Sequence, residues 1–215
     1  MTGHLAWLLS AVFDQDPLVP EHLEDLRRSG LTDVTIQRHH LRSIPPGMIG
    51  ALLGFDVRGV RSAMLVPFPD PAGGFMNHVR MKVFPPLIGR RGHMIKYFQP
   101  RGSGVRLFFP LATLHEALRG ATPLWCVEGE KKSLAVAQLG LPAVGVCGIE
   151  GWHCAGSLDL ISDFTHVSLR GRVVELVPDG DYSTNANVRW GARRLADALR
   201  AVGARPRLVR LPNAG

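Results

Sequence analysis

Three acidic residues stand where their chemistry could be used together. Glu128 follows the apolar run Leu124-Trp125-Cys126-Val127, and Asp179 and Asp181 follow the run Val173 to Val177 in Pro178-Asp179-Gly180-Asp181. Short apolar runs that alternate with helix-like segments predict a parallel α/β sheet. Ligands bind such sheets beyond the carboxyl ends of the strands, so the three carboxylates are expected to converge there. In an extended D-x-D both side chains share one side, and Glu128 on a neighbouring strand would lie about 4.8 Å across. Hard divalent cations prefer carboxylate oxygens, so the pattern predicts a Mg²⁺ or Mn²⁺ site. Glu128 would serve it as a ligand or as a general acid or base. A cation held this way neutralises phosphate charge and positions phosphate oxygens, which is the need of phosphoryl transfer.

The residues next to the acids support this chemistry. Gly129 lets the backbone turn sharply after Glu128. Lys131 and Lys132 fall in the first turn of the next helix, where they can reach a phosphate with help from the helix N-terminus. Glu130 is either a supporting group behind the ligands or a solvated acid at the helix start. Asn185 either braces the D-x-D loop or caps the following helix. His153, in Trp152-His153-Cys154, reads as a loop histidine packed beside an aromatic ring. Asp159 and Asp163 read as solvent-facing on a short helix.

Other segments must position these groups. Leu5 to Leu9 is too short to span a membrane and reads as an amphipathic helix or a loose end, with Pro17 and Pro20 breaking any helix beyond it. Glu21 to Ser29 predicts a helix closed by Gly30, and Thr32 caps a second one that runs to about His40. Neighbouring helical residues point about 100° apart, so His39 and His40 read as surface histidines rather than one metal site. Met48 to Leu53 is a further helix, ended by Gly54. Ser62 to Phe68 and Phe75 to Val83 read as strands joined by the turn Asp70-Pro71-Ala72-Gly73-Gly74. Arg80 and Lys82 then share one strand face. A loop from Pro85 to His93 carries Arg90 and Arg91, a strand holds Lys96-Tyr97-Phe98, and Arg101 and Arg106 follow. Leu111 to Leu118 predicts a short helix with a Thr113/Glu116 capping box and Gly120 at its end. A helix from about Thr184 carries the apolar stripe Val188, Leu195, Ala198, Leu199 and Val202. It stops at Gly203, before a last strand from Pro206 to Leu211.

Composition sets the limits. With 215 residues and 46% hydrophobic content, the chain can build one large or two small cores. A formal charge of +7 favours an anionic partner. The three cysteines form no C-x-x-C pair, so neither disulfides nor a zinc site is expected, and the setting reads as cytoplasmic. No membrane association is expected.

The V-E-G-E at Val127 to Glu130, a second strand ended by Gly148 and the later D-G-D resemble a Toprim domain. That domain is the metal-binding unit of bacterial primases, type II and IA topoisomerases and some nucleases. The whole chain resembles the primase-like Toprim proteins of phages, plasmids and other mobile elements. The resemblance implies an α/β fold. A small helical hairpin within residues 1–58 precedes a basic β-rich subdomain, 59–120, and a Toprim-like parallel sheet flanked by helices occupies 121–215. By this likeness Arg80, Lys82, Lys96 and Arg101 face a single-stranded DNA template or an incoming nucleoside triphosphate. A solvated charged sheet face explains each of them equally well. A replicative helicase is a further candidate partner, and the chain, ending where relatives continue, is expected to be a trimmed form. The activity implied is primase-like nucleotidyl transfer in replication of a mobile element. The alternatives are a Toprim nuclease and a catalytically silent DNA-binding module. Tyr97 and Tyr182, the two tyrosines, lie in no recognisable topoisomerase cleavage domain.

Overall fold

The computed structural model describes residues 18–89 and 92–210, which fall into two compact units divided between Ser103 and Gly104. The readings made for Leu5 to Leu9, Pro17, Arg90, Arg91 and Leu211 lie outside the described residues. No helix among the described residues is long and apolar enough to cross a membrane.

The first unit begins with a helical hairpin, α1 (Pro20–Arg28) and α2 (Asp33–Arg38). Gly30, at φ +76°, makes the left-handed turn between them, and the Thr32 side chain accepts from the Thr35 amide to start α2. The chain continues through β1 (Arg42–Ile44), α3 (Pro46–Leu53), β2 (Ser62–Pro69), β3 (Phe75–Ile88) and β4 (Met94–Phe98). The four strands form an antiparallel sheet in the order β1-β2-β3-β4. Ile49, Leu52 and Leu53 of α3 pack with Leu65, Val79, Met81 and Val83 of the sheet to make the core.

Several expectations are corrected in this unit. β3 runs on through Pro85 and Pro86 to Ile88 instead of entering a loop, because its pairing with β4 shifts between Lys82 and Leu87. Prolines can sit at such an irregularity, where no ladder donor is needed. His39 is not a surface residue: it is fully buried, and its ring Nδ1–H donates to the Thr35 carbonyl at 2.8 Å. His22 is buried as well, between the hydroxyls of Ser43 at 2.8 Å and Ser62 at 3.0 Å.

The second unit is a parallel α/β layer. Its elements are α4 (Leu114–Arg119), β5 (Leu124–Glu128), α5 (Glu130–Ala137), β6 (Ala143–Val146), β7 (Val173–Val177), α6 (Ala186–Ala201) and β8 (Arg205–Leu208). The sheet order is β6-β5-β7-β8, all parallel. β5, β6 and β7 are near-continuous apolar runs because helices cover both faces, whereas edge strand β8 is mostly exposed and carries Pro206. The other edge, at β6, pairs with Phe108 through the Gly145 backbone. The mixed α/β architecture, with helices flanking a parallel sheet, is the one the apolar runs predict.

Local chemistry departs from pattern at three places. Thr113 makes no capping box: a 3-10 turn over Leu111–Thr113 already starts the helical run, and the Thr113 hydroxyl accepts instead from the Ala143 amide at 3.4 Å. Asp163 is buried rather than solvent-facing, accepting from the Leu107 amide at 2.8 Å and pairing with Arg106 at 3.1 Å. Arg172 is buried and donates to the carbonyls of Glu116, Ala117 and Thr122, which closes the C-terminal end of α4.

Burial sets a pH limit on the first unit. It pushes the His39 imidazole down to about 4 from 6.5. The unfolded chain therefore binds this proton first. The stability that neutral His39 contributes is complete above pH 6.5 and is lost as pH falls from 6.5 toward 4. The loss amounts to about 3 kcal/mol. Burial shifts His22 in the same direction. Denaturant melts across this window should show falling stability in wild type and a flatter profile in His39→Gln.

Candidate active site

The topology fixes where the second unit can bind a ligand. β5 is followed by β6 on one side, while β7 joins it on the other, so the strand order reverses between β5 and β7. Crevices at the carboxyl ends of parallel strands open at such reversals. Glu128 ends β5, and Asp179 and Asp181 follow β7 directly. The register pairs Val127 with Val177, so the two chain ends emerge side by side.

Each acid has a distinct partner. Glu128 Oε2 accepts from the Asp179 backbone N–H at 3.0 Å, which ties the two strand ends together. The Asp179 carboxylate pairs with the Lys132 ammonium. Asp181 Oδ2 accepts from Asn185 Nδ2 at 2.8 Å. Asn185 also caps α6, its Oδ1 accepting from the amides of Asn187 at 3.0 Å and Val188 at 3.5 Å. Both roles considered for Asn185 are thus present at once.

The chain leaves β5 through Gly129, at φ +95°, a conformation that costs a residue with a Cβ. That turn starts α5 at once and brings Lys132 back over the acids. Burial raises the Glu128 carboxyl above its ordinary range. Asp181 pushes the same way, while Lys132 and a backbone hydrogen bond from Ile149 oppose. Burial lowers the Lys132 ammonium, against the pull of Glu128 and Asp181. One ammonium therefore sits in the field of three carboxylates.

The remaining predicted residues are spread more widely. Lys131 is half-buried in the first turn of α5. Glu130 is not a solvated acid: it is 2% exposed and accepts from the Cys147 thiol at 3.3 Å. His153 lies against the Trp152 ring at 4.4 Å and bonds Glu150 at 2.8 Å, and this bond raises its pKa. In the first unit, Arg80 stacks over the Tyr97 ring at 4.8 Å. Lys82 shares that face and is paired with Asp25 of α1. Lys96 is exposed on β4, where alternation turns it from the face of its neighbour Tyr97. Arg101 is exposed, and its amide donates to the Leu53 carbonyl at 2.9 Å.

Among the described residues, no group of three or more His, Cys, Asp or Glu side chains is already drawn up in a ligating arrangement. The D-x-D is not extended, because Asp181 lies in a 3-10 turn over Gly180–Ser183, but carboxylates from two adjacent strand ends with the Lys132 ammonium beside them are of the type that suits a hard cation. Ligation by these residues would require Asp179 to leave Lys132 and Asp181 to leave Asn185.

Comparison with known proteins gives the same architecture. Residues 117–215 match a family model described as a domain of unknown function, DUF3854. No protein of curated function matches the sequence. The chain is similar to a solved structure described as the DnaG catalytic core, with a TM-score of 0.63 and 19% identity. The match covers 100% of this chain and 72% of that one. It is also similar to the Aquifex aeolicus primase, a structure of zinc-binding and RNA polymerase domains, with a TM-score of 0.64 and 16% identity. That match covers 99% of this chain and 56% of the other, so this chain spans little more than half the length. The fold is that of the primase catalytic core.

The double duty of Asn185 can be separated by substitution. Asn185→Ala should lower stability by about 1 kcal/mol in denaturant melts. Asn185→Asp keeps the capping oxygen but loses the donor to Asp181. At high salt, which screens the new charge, it should recover most of that loss. Equal loss in both variants would show that the bond to Asp181, not the cap, carries the stability.

Proposed function

We propose that this chain is a primase-like nucleotidyltransferase, dependent on Mg²⁺ or Mn²⁺, that joins ribonucleotides on a single-stranded DNA template. The observation that carries this reading is the placement of Glu128, Asp179 and Asp181 at the β5/β7 reversal, within a fold shared with the primase catalytic core. Replication of a mobile element is the proposed setting, with a replicative helicase as a partner.

In this reading Glu128, Asp179 and Asp181 would hold the cation, which would supply charge neutralisation and orientation of phosphate oxygens. The 3′-hydroxyl oxygen attacks the α-phosphorus, and the bond to pyrophosphate breaks. Glu128, half-buried and raised in pKa, is suited to accept the hydroxyl proton. Lys131 and Lys132 steady the triphosphate. Arg80, Lys96 and Arg101 of the first unit are proposed to contact the template or the triphosphate, and Lys82 to join them by leaving Asp25.

Incubation with single-stranded DNA, labelled ribonucleotides and either ion should give extended products. Shortened DNA would favour the nuclease alternative, and no product with intact DNA binding would favour a silent module. Mg²⁺ or Mn²⁺ should raise the melting temperature by mass action. Asp179→Asn/Asp181→Asn should fold, lose that rise and lose transfer. Equal ion affinity in the wild type and this double variant, by calorimetry, would reject the metal site. Lys132→Met removes the ammonium that competes for Asp179, so it should bind the ion more tightly while the ion-free protein loses up to about 1 kcal/mol.

A further inference from the structure

α6 carries a side-chain pair that the acid site does not use. Its buried stripe, Val188, Ala192, Leu195 and Leu199, faces the sheet. Trp190 points the other way and is 59% exposed, although it is the largest side chain on the helix. One turn on, the Arg194 guanidinium lies 4.2 Å from the centre of the Trp190 ring. It lies 5.7 Å from the ring of Trp152, which is fully buried. Glu150 holds Arg194 in place at 3.3 Å and is itself bonded by His153 at 2.8 Å. The guanidinium is therefore fixed between a buried ring and an exposed one, and it steadies the exposed indole.

This pair sits at the same end of the sheet as the acids. α6 approaches the loop after β6 so closely that a Cβ on Gly191 would lie 2.8 Å from Ile149 and 2.9 Å from Glu150. A backbone hydrogen bond from Ile149 reaches Glu128. The surround of Trp190 is basic rather than apolar: Arg189, Arg193 and Arg194 lie within about one turn of it on α6, against Glu150, which pairs with Arg194. A protein-docking patch would extend the apolar surface around the indole. A lone indole framed by guanidinium groups complements a base together with its phosphates.

We propose that Trp190 and Arg194 form a stacking platform for a base of single-stranded nucleic acid. The platform holds the strand beside the Glu128–Asp179–Asp181 crevice, and in this it rests on the reading that the chain acts on nucleic acid. Arg194 positions the indole, Arg193 meets the phosphates, and the open indole face takes the base. Base stacking is tolerant of sequence, so the site reads no particular base.

The test is equilibrium binding without divalent ions or triphosphates, using a thymidine oligonucleotide and an abasic strand of equal length. Wild type should prefer the thymidine strand. Trp190→Ala should weaken thymidine binding about tenfold and leave abasic binding unchanged, with an unaltered circular dichroism spectrum. Trp190→Phe should retain part of the preference. The thymidine strand should quench tryptophan emission in wild type, and most of that quenching should vanish in Trp190→Phe. Unchanged thymidine affinity in Trp190→Ala overturns the platform, as does equal loss for both strands or no strand binding by wild type. Because binding is read without catalysis, the two readings fail separately. Trp190-dependent binding with no nucleotide transfer leaves the platform standing, and transfer with Trp190-independent binding leaves only the transferase.

Discussion

The hydrogen bond from the Asp179 amide to Glu128 Oε2 holds the candidate site in register. Parallel strands are joined by their backbones only up to their ends, and beyond that point each chain is free to diverge. Here the acid that ends β5 receives the first amide of the loop leaving β7. The bond, with a second from the Ile149 backbone, commits the Glu128 carboxylate to both neighbouring chain segments. It also sets the start of the D-x-D loop, whose Asp181 is anchored in turn by the cap residue of α6. Two strand ends are thereby fixed by side chains that are themselves candidate chemical groups, and Asn185 ties Asp181 to the start of α6.

The second constraint is the short path from β5 to α5. Gly129 turns the chain within one residue, so Lys132 returns over the strand end it has just left. The same economy appears after β6, where Ile149 bonds Glu128 while its neighbour Glu150 holds Arg194. The carboxyl edge of the sheet is therefore one connected polar layer resting on strands that are almost wholly apolar. Two residues, Ile149 and Glu150, lie between α6 and Glu128.

The parallel sheet was legible because its strands are buried on both faces and read as unbroken apolar runs. The acids were legible because each stands directly at the end of such a run. What stayed hidden depends on partners remote in sequence. Asp163 looks like a surface acid beside its neighbours, yet its partners are the Leu107 amide and Arg106. His39 looks like one of two exposed histidines, yet it is closed into the core by its bond to Thr35. Thr113 carries the spacing of a capping box, but the helical run begins before it. β1, with three residues, is too short for alternation to show. Trp190 had a local signal, an indole among arginines outside the apolar stripe of its helix. The stacked guanidinium and the loop behind it could be known only from the fold.

The position of Lys132 explains how three carboxylates can share one end of the sheet in the folded chain. Three carboxylates gathered at one strand reversal would repel, and Glu128 is already raised in pKa by burial and by Asp181. A tethered ammonium opposes that shift without needing a ligand from solution. Its own pKa is lowered by the same burial, so it is a weaker counter-charge than a lysine in water would be. Both Lys132 and Asp179 keep close to half of their side-chain surface in solvent, which places their pair in the range of small, exchangeable surface interactions. A divalent ion brings twice the charge and several coordination positions, against one ammonium. A cation held by the acids would take over the counter-charge role of Lys132 and leave its ammonium available to phosphate oxygens.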